Sequence, residues 1–583
     1  MGSSDPLTRQ ESPDRRTYLK LLGAGGAATL AGCMGGGGGG GEETTTESSG
    51  GGGEETQGNG GGEETTTERP DIIPGGHLRT TAIAAPQSLS PFVGDGQGDY
   101  VFFELMYDRL VGYNRDYEPV PRLARDWEPN DDTTAWTFML TDQAKFANID
   151  KKVLGEDVKA TVEVMLSEDR VPGASVDLGA VDKDNPVVVE DDHRVTINLS
   201  KKDPFYPARL GETGSYFNIV PKEILDNRFD ELSTTDFGSG PFTLTDYESD
   251  SQYHFEKHDW YIEREGRELP YLDEITAKII PDPVSQASAL TGKRVDVINT
   301  LDPSLRSRIE NAGNASVRQY STSAFLSMVM TTNMELDNGD KPFSKLKVRQ
   351  AMKHALDREE IVSATDGTMT IGHHDPVAPV HPGYGDFDEG LEFGTTAQTE
   401  KAKGLLEEAG YGDGLELPTP IYENEFQARR GTCVKLFQQQ AKKAGIEFDI
   451  RLVSPDTWLS KYWNQDGKWY ASGYAARMEQ TTVPRLALGP DAKWDSGRWD
   501  NEQYHEAYNK FSTTTTSDPA FQKAFTKAQR ISHLDNAWII FGFLDQQAAS
   551  NDYLSHFDPG PAANKDFNYD AALSPDAPKG PNP

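Results

Sequence analysis

The chain has 583 residues, which is too long for a single hydrophobic core and indicates two or three domains. Its 93 acidic and 57 basic side chains give a net charge of −36 and a pI near 4.7. A surface this acidic repels phosphate backbones, so the composition argues against nucleic acid as a partner.

Residues 1–33 have the pattern of an export signal. Arg15 and Arg16 open a segment that resembles a twin-arginine motif, and the apolar run after it is too short to cross a bilayer as a helix. Cys33 follows small residues in an arrangement that resembles a lipobox, in which the cysteine is lipid-modified and becomes the new N-terminus. We therefore predict a lipid anchor; the alternative, an uncleaved signal anchor, is disfavoured by the short apolar run.

Residues 34–74 are a low-complexity segment of glycine runs broken by EETTTE blocks. Such a sequence has little apolar area to bury, which predicts a flexible, charged tether. A tether between a lipid anchor and a folded body places that body outside the cell, on the outer face of the cytoplasmic membrane.

Cys33 and Cys433 are the only cysteines in the sequence, and they are far apart. Neither a disulfide framework nor a zinc-ligand spacing can be built from them. Cys433 lies between apolar residues of a predicted helix, so we expect it to be a small buried hydrophobe.

From residue 75 onward, apolar periodicity predicts helices alternating with strands, which indicates an α/β architecture. One strand is predicted where Ile446, Phe448, Ile450 and Leu452 alternate, and a buried strand over 537–549 should return to an earlier sheet. The helices are predicted over 100–110, 155–166, 284–290, 396–409, 430–444, 501–510 and 518–532.

Residues 341–362 predict two short helices that meet at a corner. Asp357 stands at an N-cap position with Glu360 three residues later, the pattern of a capping box. Leu356 is expected in the core, and Arg349 is expected to pair with a neighbouring acid. The inward face is formed by apolar residues at helical spacing, namely Val348, Ala351, Met352, Ala355 and Leu356.

The letters of this stretch, PF…VRQAM…ALDREEIV, closely resemble a signature of the family 5 extracellular solute-binding proteins, the peptide-, dipeptide- and nickel-binding receptors of ABC importers. Residues 107–146 and 258–298 resemble two further signatures, in the family's order. The resemblance covers residues 75 to about 560. It implies an α/β, periplasmic-binding-protein-like fold in which two lobes close on a ligand about a hinge, with an extra domain that makes the protein three-lobed.

The resemblance also implies how the chain divides. Lobe I would be discontinuous, built from 75–111, 232–322 and 541–583. Residues 112–231 would form the extra domain, and 323–540 would form lobe II. The protein would be a monomer that captures a small solute or a peptide and delivers it to the transmembrane subunits of a permease, with no cofactor.

An enzyme would need a constellation of reactive residues, and the sequence contains no HExxH, GxxxxGK[ST] or GxSxG motif. His373, His374 and Asp375 are the one cluster that suggests a metal, but adjacent histidines in an extended chain point to opposite faces. We therefore predict no catalytic residue and no bound metal. The alternative is a secreted surface protein or enzyme that reuses the fold, because a fold alone does not fix function.

The ligand-binding residues are inferred from the family's segment of the form "sGW.aDy.dP", which lines the cleft. Residues 472–479, SGYAARME, match it here. The match implies that Gly473, Tyr474 and Ala475 contact the ligand. It also places Arg477 where peptide-binding members carry an aspartate that pairs with the peptide's α-amino group.

Arg477 changes what this position can bind. A guanidinium repels a cationic amino terminus, whereas its planar fork suits a carboxylate or a phosphate. The ligand would then present an anionic or neutral acceptor group here, or a peptide would lie in a different register. The alternative is that Arg477 pairs internally with Glu479 or another acid and only shapes the pocket.

Three more residues are inferred to face the ligand. Trp458 falls near an aromatic wall position of the family, Asn333 matches a polar residue just before the corner, and Gln97 lies on the loop that faces the cleft. Core packing is an equally good interpretation of each aromatic residue, and it is the preferred one for Trp494 and Trp499.

The acidic surface allows two interpretations. Like charges repel, and salt relieves this because the Debye length falls to about 3 Å at 1 M. The chain is then either adapted to high salt or an ordinary acidic soluble protein. Circular dichroism after dialysis into low salt separates the two, since only a salt-adapted protein would lose its folded signal.

Replacing Arg15 and Arg16 by lysine should trap the precursor in the cytoplasm, because a receptor reads the arginine pair as an address. Cell fractionation measures this, and Arg9→Lys, which lies outside the motif, should export normally. Cys33→Ala should release the body into the medium or leave an uncleaved precursor. Normal export of the double-lysine chain would contradict the twin-arginine interpretation.

Overall fold

A computed structural model of the protein describes residues 74–93, 97–114, 116–172, 174, 178–211, 217–248, 250–258, 260, 263–264, 267–385, 392–424, 429–555 and 571–573. The predicted export signal, Cys33 and the tether up to residue 73 lie outside these residues, and so does most of the segment after 555. Within the described ranges, no helix combines the length and the apolar character that crossing a bilayer requires.

The helices form largely where the periodicity predicts them. The segment predicted over 155–166 has those bounds, and the helix predicted over 501–510 begins after Asn501, whose side chain accepts the Tyr504 N–H at 3.0 Å. They are α1 Gln97–Met106, α2 Gly155–Leu166, α3 Tyr206–Leu210, α4 Lys222–Asn227, α5 Pro283–Thr291, α6 Arg306–Glu310, α7 Leu346–His354, α8 Arg358–Ala364, α9 Thr399–Glu408, α10 Arg429–Lys443, α11 Pro455–Lys461, α12 Glu502–Phe511 and α13 Pro519–Asp535.

The strands are mostly short, with two long exceptions near the middle and end of the chain. They are β1 His77–Ala82, β2 Val111–Tyr113, β3 Pro119–Pro121, β4 Ala124–Pro129, β5 Ala135–Leu140, β6 Val187–Asp191, β7 Arg194–Asn198, β8 Phe242–Glu248, β9 Gln252–Lys257, β10 Glu263–Arg264, β11 Arg267–Glu268, β12 Glu274–Ile279, β13 Val297–Ile298, β14 Ala315–Met330, β15 Met369–Thr370, β16 Leu415–Glu416, β17 Ile421–Tyr422, β18 Ile446–Glu447, β19 Arg451–Leu452, β20 Trp469–Tyr474, β21 Trp538–Asn551, β22 Leu554–Ser555 and β23 Ala572–Leu573.

Three sheets organise the described part of the chain. The first has four strands in the order β1-β12-β9-β8, and the second has four in the order β4-β5-β7-β6. The third has seven strands, in the order β13-β21-β14-β20-β17-β19 with β15 paired to β21. The strand predicted over 537–549 is β21, and it does return to earlier strands.

The side chains of β14 separate two hydrophobic cores, because successive residues of a strand point to opposite faces. Leu326, Met328 and Met330 belong to one buried cluster, whereas Phe325 and Val329 belong to the other. Because both faces are covered, β14 and β21 are nearly continuous apolar runs in this region.

The corner at 341–362 forms as predicted, with one difference. Asp357 Oδ1 accepts the Glu360 N–H at 2.9 Å, which is the expected N-cap bond. The return half of the capping box is replaced: the Asp357 N–H donates to Gln440 Oε1 at 2.9 Å, and Gln440 Nε2 donates to Glu360 Oε2 at 2.8 Å. A side chain of α10 therefore closes the cap, and Arg349 pairs with Asp535 as expected.

The strand predicted over 446–452 is divided between two sheets. Ile446 lies in β18, which pairs with β16, whereas Leu452 lies in β19, which pairs with β17 in the seven-stranded sheet. The chain leaves one ladder before it enters the other, so residues 448–450 pair with neither. Cys433 is buried as predicted, and burial raises the pKa of its thiol to about 12.

The predicted domain division stays a prediction. Its boundaries at 322/323 and 540/541 fall inside β14 and β21. The strands of the four-stranded sheet β4-β5-β7-β6 all lie within 112–231. Their buried side chains nevertheless belong to the same hydrophobic cluster as those of β1 and β12.

Leu356→Ala should lower the free energy of unfolding by about 2–5 kcal/mol, because Leu356 is 1% exposed and its truncation leaves a cavity. Urea denaturation measures the loss. Leu346→Ala is the matched control, since Leu346 is 43% exposed, and its effect should stay within about 0.5 kcal/mol. An equal effect of the two substitutions would show that the inward face of this corner is assigned wrongly.

Candidate functional site

The segment predicted to line the cleft begins in β20, which lies between β14 and β17. Gly473 is opposite Leu326 and Tyr474 is opposite Phe325. A Cβ atom at position 473 would lie 2.4 Å from the carbonyl oxygen of Phe325, closer than such atoms approach. The glycine is therefore required by the close approach of β14, whatever else it contacts.

Tyr474 packs in an aromatic cluster. Its ring centroid lies 5.4 Å from Phe325, 5.5 Å from Trp538 and 6.1 Å from Trp494. The side chain is 9% exposed, and burial raises the pKa of its hydroxyl. The structure thus gives Tyr474 a packing role, and its predicted contact with a ligand stays a prediction.

Arg477 follows β20, and its backbone is held from two sides. Ser323 Oγ accepts the Arg477 N–H at 2.7 Å and donates to the Arg477 carbonyl at 2.6 Å, while His381 Nε2 lies 2.8 Å from the same carbonyl. Ala475, two residues earlier, is exposed. The backbone of Arg477, from which the guanidinium extends, is therefore held by β14 and by the loop that contains His381.

His381 donates to Arg477 as a neutral imidazole. Burial lowers its pKa to about 4. Its Nδ1 accepts the Ala378 N–H at 3.1 Å, so the proton resides on Nε2, which faces the Arg477 carbonyl. The edge of the His381 ring packs against Tyr117, with 5.2 Å between centroids.

The guanidinium of Arg477 is half-buried, and its Nε atom is buried without a hydrogen-bond partner. Glu479, the acid proposed as its internal partner, is 2% exposed and lies 3.7 Å from Arg209 Nη1. Glu479 also accepts hydrogen bonds from Thr481 and Thr482. Across the described ranges, no ion pair joins Arg477 to Glu479 or to another acid.

A buried charge cluster surrounds Glu479 and connects two parts of the chain. Arg209 Nε, from α3, lies 2.8 Å from Asp203 Oδ2. Burial opposes the charge on Arg209, but Asp203 and Glu479 outweigh it and raise its pKa. Burial, and then the neighbouring Arg209, lower the pKa of Arg485 to about 10. Since Asp203 and Arg209 lie in 112–231, this cluster ties the predicted extra domain to the segment after β20.

A second contact joins the same two parts. Met478 packs with Tyr113 and Tyr117 in a small buried cluster, against Ala208. Arg477 therefore lies beside the place where the predicted extra domain and predicted lobe II meet.

Trp458 and Asn333 have hydrogen-bond partners of their own, and Trp458 shares a buried cluster with Tyr474. Trp458 is 4% exposed, and its indole N–H donates to the Ala471 carbonyl at 2.8 Å. Asn333 is exposed and holds the turn before β20, where its Oδ1 accepts the Gly467 N–H at 2.8 Å. Because that turn is at the opposite end of β20 from Tyr474, it lies about 17 Å away along the strand.

Gln97 is the first residue of α1, and its side chain lies outside the described part of the structure. The two tryptophans assigned to structure are consistent with that interpretation: Trp499 is buried, and Trp494 packs against Tyr474 and Trp463. Ligand contact by Gln97 and by the other predicted site residues stays a prediction.

Sequence reasoning missed Ser323, His381 and Arg209. The first two lie 154 and 96 residues from Arg477, and no short motif links such positions. The only local signal was the presence of a polar serine next to an apolar run and of a histidine in a loop sequence. Which residue they hold depends on the pairing of β14 with β20.

His374 and Asp375 bond backbone groups, whereas the His373 ring stacks on Tyr384 with 4.5 Å between centroids. His374 Nδ1 accepts the Ile540 N–H at 3.0 Å, and the His374 N–H donates to His533 Nδ1 at 2.9 Å. Asp375 Oδ1 accepts the Val377 N–H at 2.9 Å. These bonds occupy His374 Nδ1 and one carboxylate oxygen of Asp375.

The chain is similar to known proteins in sequence and in fold. A sequence profile of the bacterial extracellular solute-binding proteins, family 5 Middle, matches residues 118–490. Heme-binding protein A of Haemophilus influenzae is 27% identical over 353 residues, which cover 57% of this chain and 61% of that protein. Oligopeptide-binding protein AppA of Bacillus subtilis is 27% identical over 403 residues, which cover 65% of this chain and 69% of that protein. The chain thus matches less than two thirds of the length of the Haemophilus protein.

A solved structure gives the same architecture. HbpA2 from Haemophilus parasuis superposes with a TM-score of 0.73 at 21% identity, covering 86% of this chain and 100% of that chain. A likeness at this identity shows the fold. It confirms the predicted fold class, α/β and periplasmic-binding-protein-like.

Gly473→Ala should lower the free energy of unfolding by about 1–3 kcal/mol, because its Cβ would overlap the Phe325 carbonyl and force β14 and β20 apart. Gly404→Ala is the control: Gly404 lies within α9, and its Cβ would meet nothing within 4 Å. That substitution should stabilise by about 0.5–1 kcal/mol. Thermal unfolding measures both, and a neutral Gly473→Ala would contradict the close-approach argument.

Proposed function

The chain belongs to family 5 of the bacterial extracellular solute-binding proteins, and from that premise we propose that it captures a small solute or a peptide outside the cell and delivers it to the permease of an ABC importer. The profile match over residues 118–490 is the observation that carries this proposal. Similar proteins include heme-, oligopeptide-, dipeptide- and nickel-binding proteins, so membership of the family by itself does not fix the ligand.

The proposed location follows from the sequence. Cys33 would carry the lipid anchor, the twin-arginine pair would direct export, and residues 34–74 would tether a monomeric body to the outer face of the cytoplasmic membrane. The transmembrane subunits of the importer would be its partners. An anchored receptor stays close to the permease, so captured solute is not lost by diffusion.

The proposed ligand class rests on Arg477. A guanidinium that is withdrawn from water without an acid beside it is costly, because its lost hydration is not replaced. A ligand carboxylate or phosphate would replace it with charge-assisted hydrogen bonds in a bidentate geometry. We therefore infer a ligand with an anionic or neutral acceptor group at this position, or a peptide in a different register from that of relatives with an aspartate here.

The contacts around Arg477 bring the predicted extra domain against predicted lobe II beside the proposed ligand position. Tyr117 packs on His381, and Arg209 lies beside Glu479, so the predicted extra domain already touches lobe II here. A ligand that binds the closed arrangement better than an open one shifts the population toward closure. Gly473, Tyr474, Ala475, Trp458, Asn333 and Gln97 remain proposed ligand contacts on the strength of the resemblance.

A binding role is proposed in preference to an enzymatic one, because members of family 5 are binding proteins. The alternative, a secreted surface protein or enzyme that reuses the fold, differs in a measurable way. A ligand that binds only the folded state raises the melting temperature by mass action. For a receptor that rise comes without turnover, whereas an enzyme would consume the compound.

Arg477→Ala should weaken binding of anionic solutes roughly ten- to hundredfold, because hydrogen bonds to a charged group contribute about 1.5–3 kcal/mol. Isothermal calorimetry with free peptides, N-acetylated peptides and anionic solutes measures this. Arg306→Ala is the matched control, since Arg306 is an exposed arginine paired with Glu310 at 2.9 Å, and it should bind like the unmodified protein.

The result that overturns this ligand class is tight binding of free-amine peptides that Arg477→Ala leaves unchanged. Mass spectrometry of small molecules that co-purify with the protein identifies the solutes to begin with. If no solute binds to or stabilises the unmodified protein or the Arg477→Ala variant, the receptor function itself is contradicted.

A further inference from the structure

A cluster of two histidines and a carboxylate lies on the sheet β1-β12-β9-β8, to which the candidate ligand site contributes no strand. His77 pairs with Glu274 across β1 and β12, and His254 pairs with Thr276 across β12 and β9. Glu274 and Thr276 are two residues apart on β12, so all four side chains share one face of the sheet. That face is opposite the one that carries Leu78 and Ile275 into the core.

The donor atoms converge on one point in space. His77 Nδ1 lies 3.6 Å and His254 Nε2 lies 3.9 Å from Glu274 Oε2, and the three ligand atoms all lie within 4.8 Å of one another. Bonds of about 2.0–2.2 Å around a tetrahedral ion place its ligand atoms roughly 3.3–3.6 Å apart. Reaching that spacing requires small adjustments of the Glu274 side chain, which is 45% exposed, and of the imidazoles of His77 and His254, which are 24% and 30% exposed.

The far nitrogens of both imidazoles are held by one hydroxyl. His77 Nε2 lies 2.7 Å and His254 Nδ1 lies 3.1 Å from Thr276 Oγ1. A hydroxyl oxygen can accept two hydrogen bonds, so Thr276 can orient both rings with N–H toward itself and lone pair toward Glu274. Metal-ligating histidines are held in this way, with the second nitrogen donating to an outer oxygen.

We propose that His77, His254 and Glu274 bind one divalent transition-metal ion of the zinc type, with solvent completing its coordination. Two imidazole nitrogens and one carboxylate suit Zn²⁺ and its neighbours, whereas Ca²⁺ and Mg²⁺ prefer oxygen ligands throughout. The nearby cation Arg79 does not oppose the ion, because Asp296 neutralises it at 2.6 Å.

The ion would clamp three strands that are distant in sequence. His77 opens β1, whereas His254 and Glu274 lie about 180 to 200 residues later, in strands joined to one another by ladder hydrogen bonds. Binding to the folded state alone stabilises it, so the clamp would raise the melting temperature. This role is separate from solute capture and departs from the expectation that the chain binds no metal.

The experiment uses the full chain after treatment with EDTA, titrated with ZnCl₂ in a calorimeter and followed by thermal unfolding. One equivalent should bind and raise the melting temperature. His254→Gln and Glu274→Gln should abolish that step, whereas His505→Gln, which removes a surface histidine beside Asp500, should leave it unchanged. Thr276→Val should weaken Zn²⁺ binding roughly 10–100-fold while leaving the EDTA-treated protein folded, as circular dichroism would verify.

The net charge of −36 attracts cations in general, so CaCl₂ and MgCl₂ are titrated in parallel. Equal stabilisation by these salts would overturn the proposal, because exposed carboxylates would then account for the effect. Zn²⁺ binding that survives in His254→Gln or Glu274→Gln would overturn it as well, and so would the absence of binding in the unmodified protein. None of these outcomes bears on solute binding, which is measured separately.

Discussion

The antiparallel ladder between β14 and β21 joins the two predicted lobes in one sheet. It runs from the pair Ala315 and Asn551 at one end to the pair Val329 and Trp538 at the other. The register shifts between Ser321 and Phe325, so the ladder bonds are interrupted there. An interrupted ladder bends and twists more easily than a continuous one. The implied lobe boundary on β14, at 322/323, falls within this interruption, and the implied boundary on β21, at 540/541, falls at a second register shift, opposite Leu326 and Ser327. Closure about a hinge would require flexibility there.

The candidate site depends on the same ladder. β20 pairs with the half of β14 that follows the interruption, and the segment 475–485 continues from the end of β20. Ser323 lies within the interruption, and its hydroxyl binds both backbone groups of Arg477. Ser323 therefore ties the backbone of Arg477 to the point at which the two predicted lobes connect.

Arginine is used inside this acidic molecule in more than one way. Arg209 is surrounded by Asp203 and Glu479, and Arg358 donates to the carbonyls of Phe393 and Gly394 at 3.1 and 3.0 Å. These contacts replace the hydration that burial removes. Among the described residues, Arg477 Nε has neither an acid nor a carbonyl as partner, and the resemblance places Arg477 in the segment that lines the cleft; a ligand is inferred from these two facts together.

Local sequence determined much of the secondary structure. The bounds of α2, the N-cap at Asp357 and the burial of Leu356 all follow from patterns within a few residues, because helical and strand periodicities are local properties. The family signatures, together with the match over 118–490, determined the fold class. The resemblance also placed Arg477 in the segment that lines the cleft in the family.

Only the tertiary structure decided which residues meet. Gln440 completes the cap at Asp357 from 83 residues away, and His381 holds Arg477 from 96 residues away. His77, His254 and Glu274 converge because β1, β12 and β9 pair in one particular register. Shifting a strand by one residue would turn each of these side chains to the opposite face. Register is set by the sum of packing over a whole sheet, and no short stretch of sequence contains that sum.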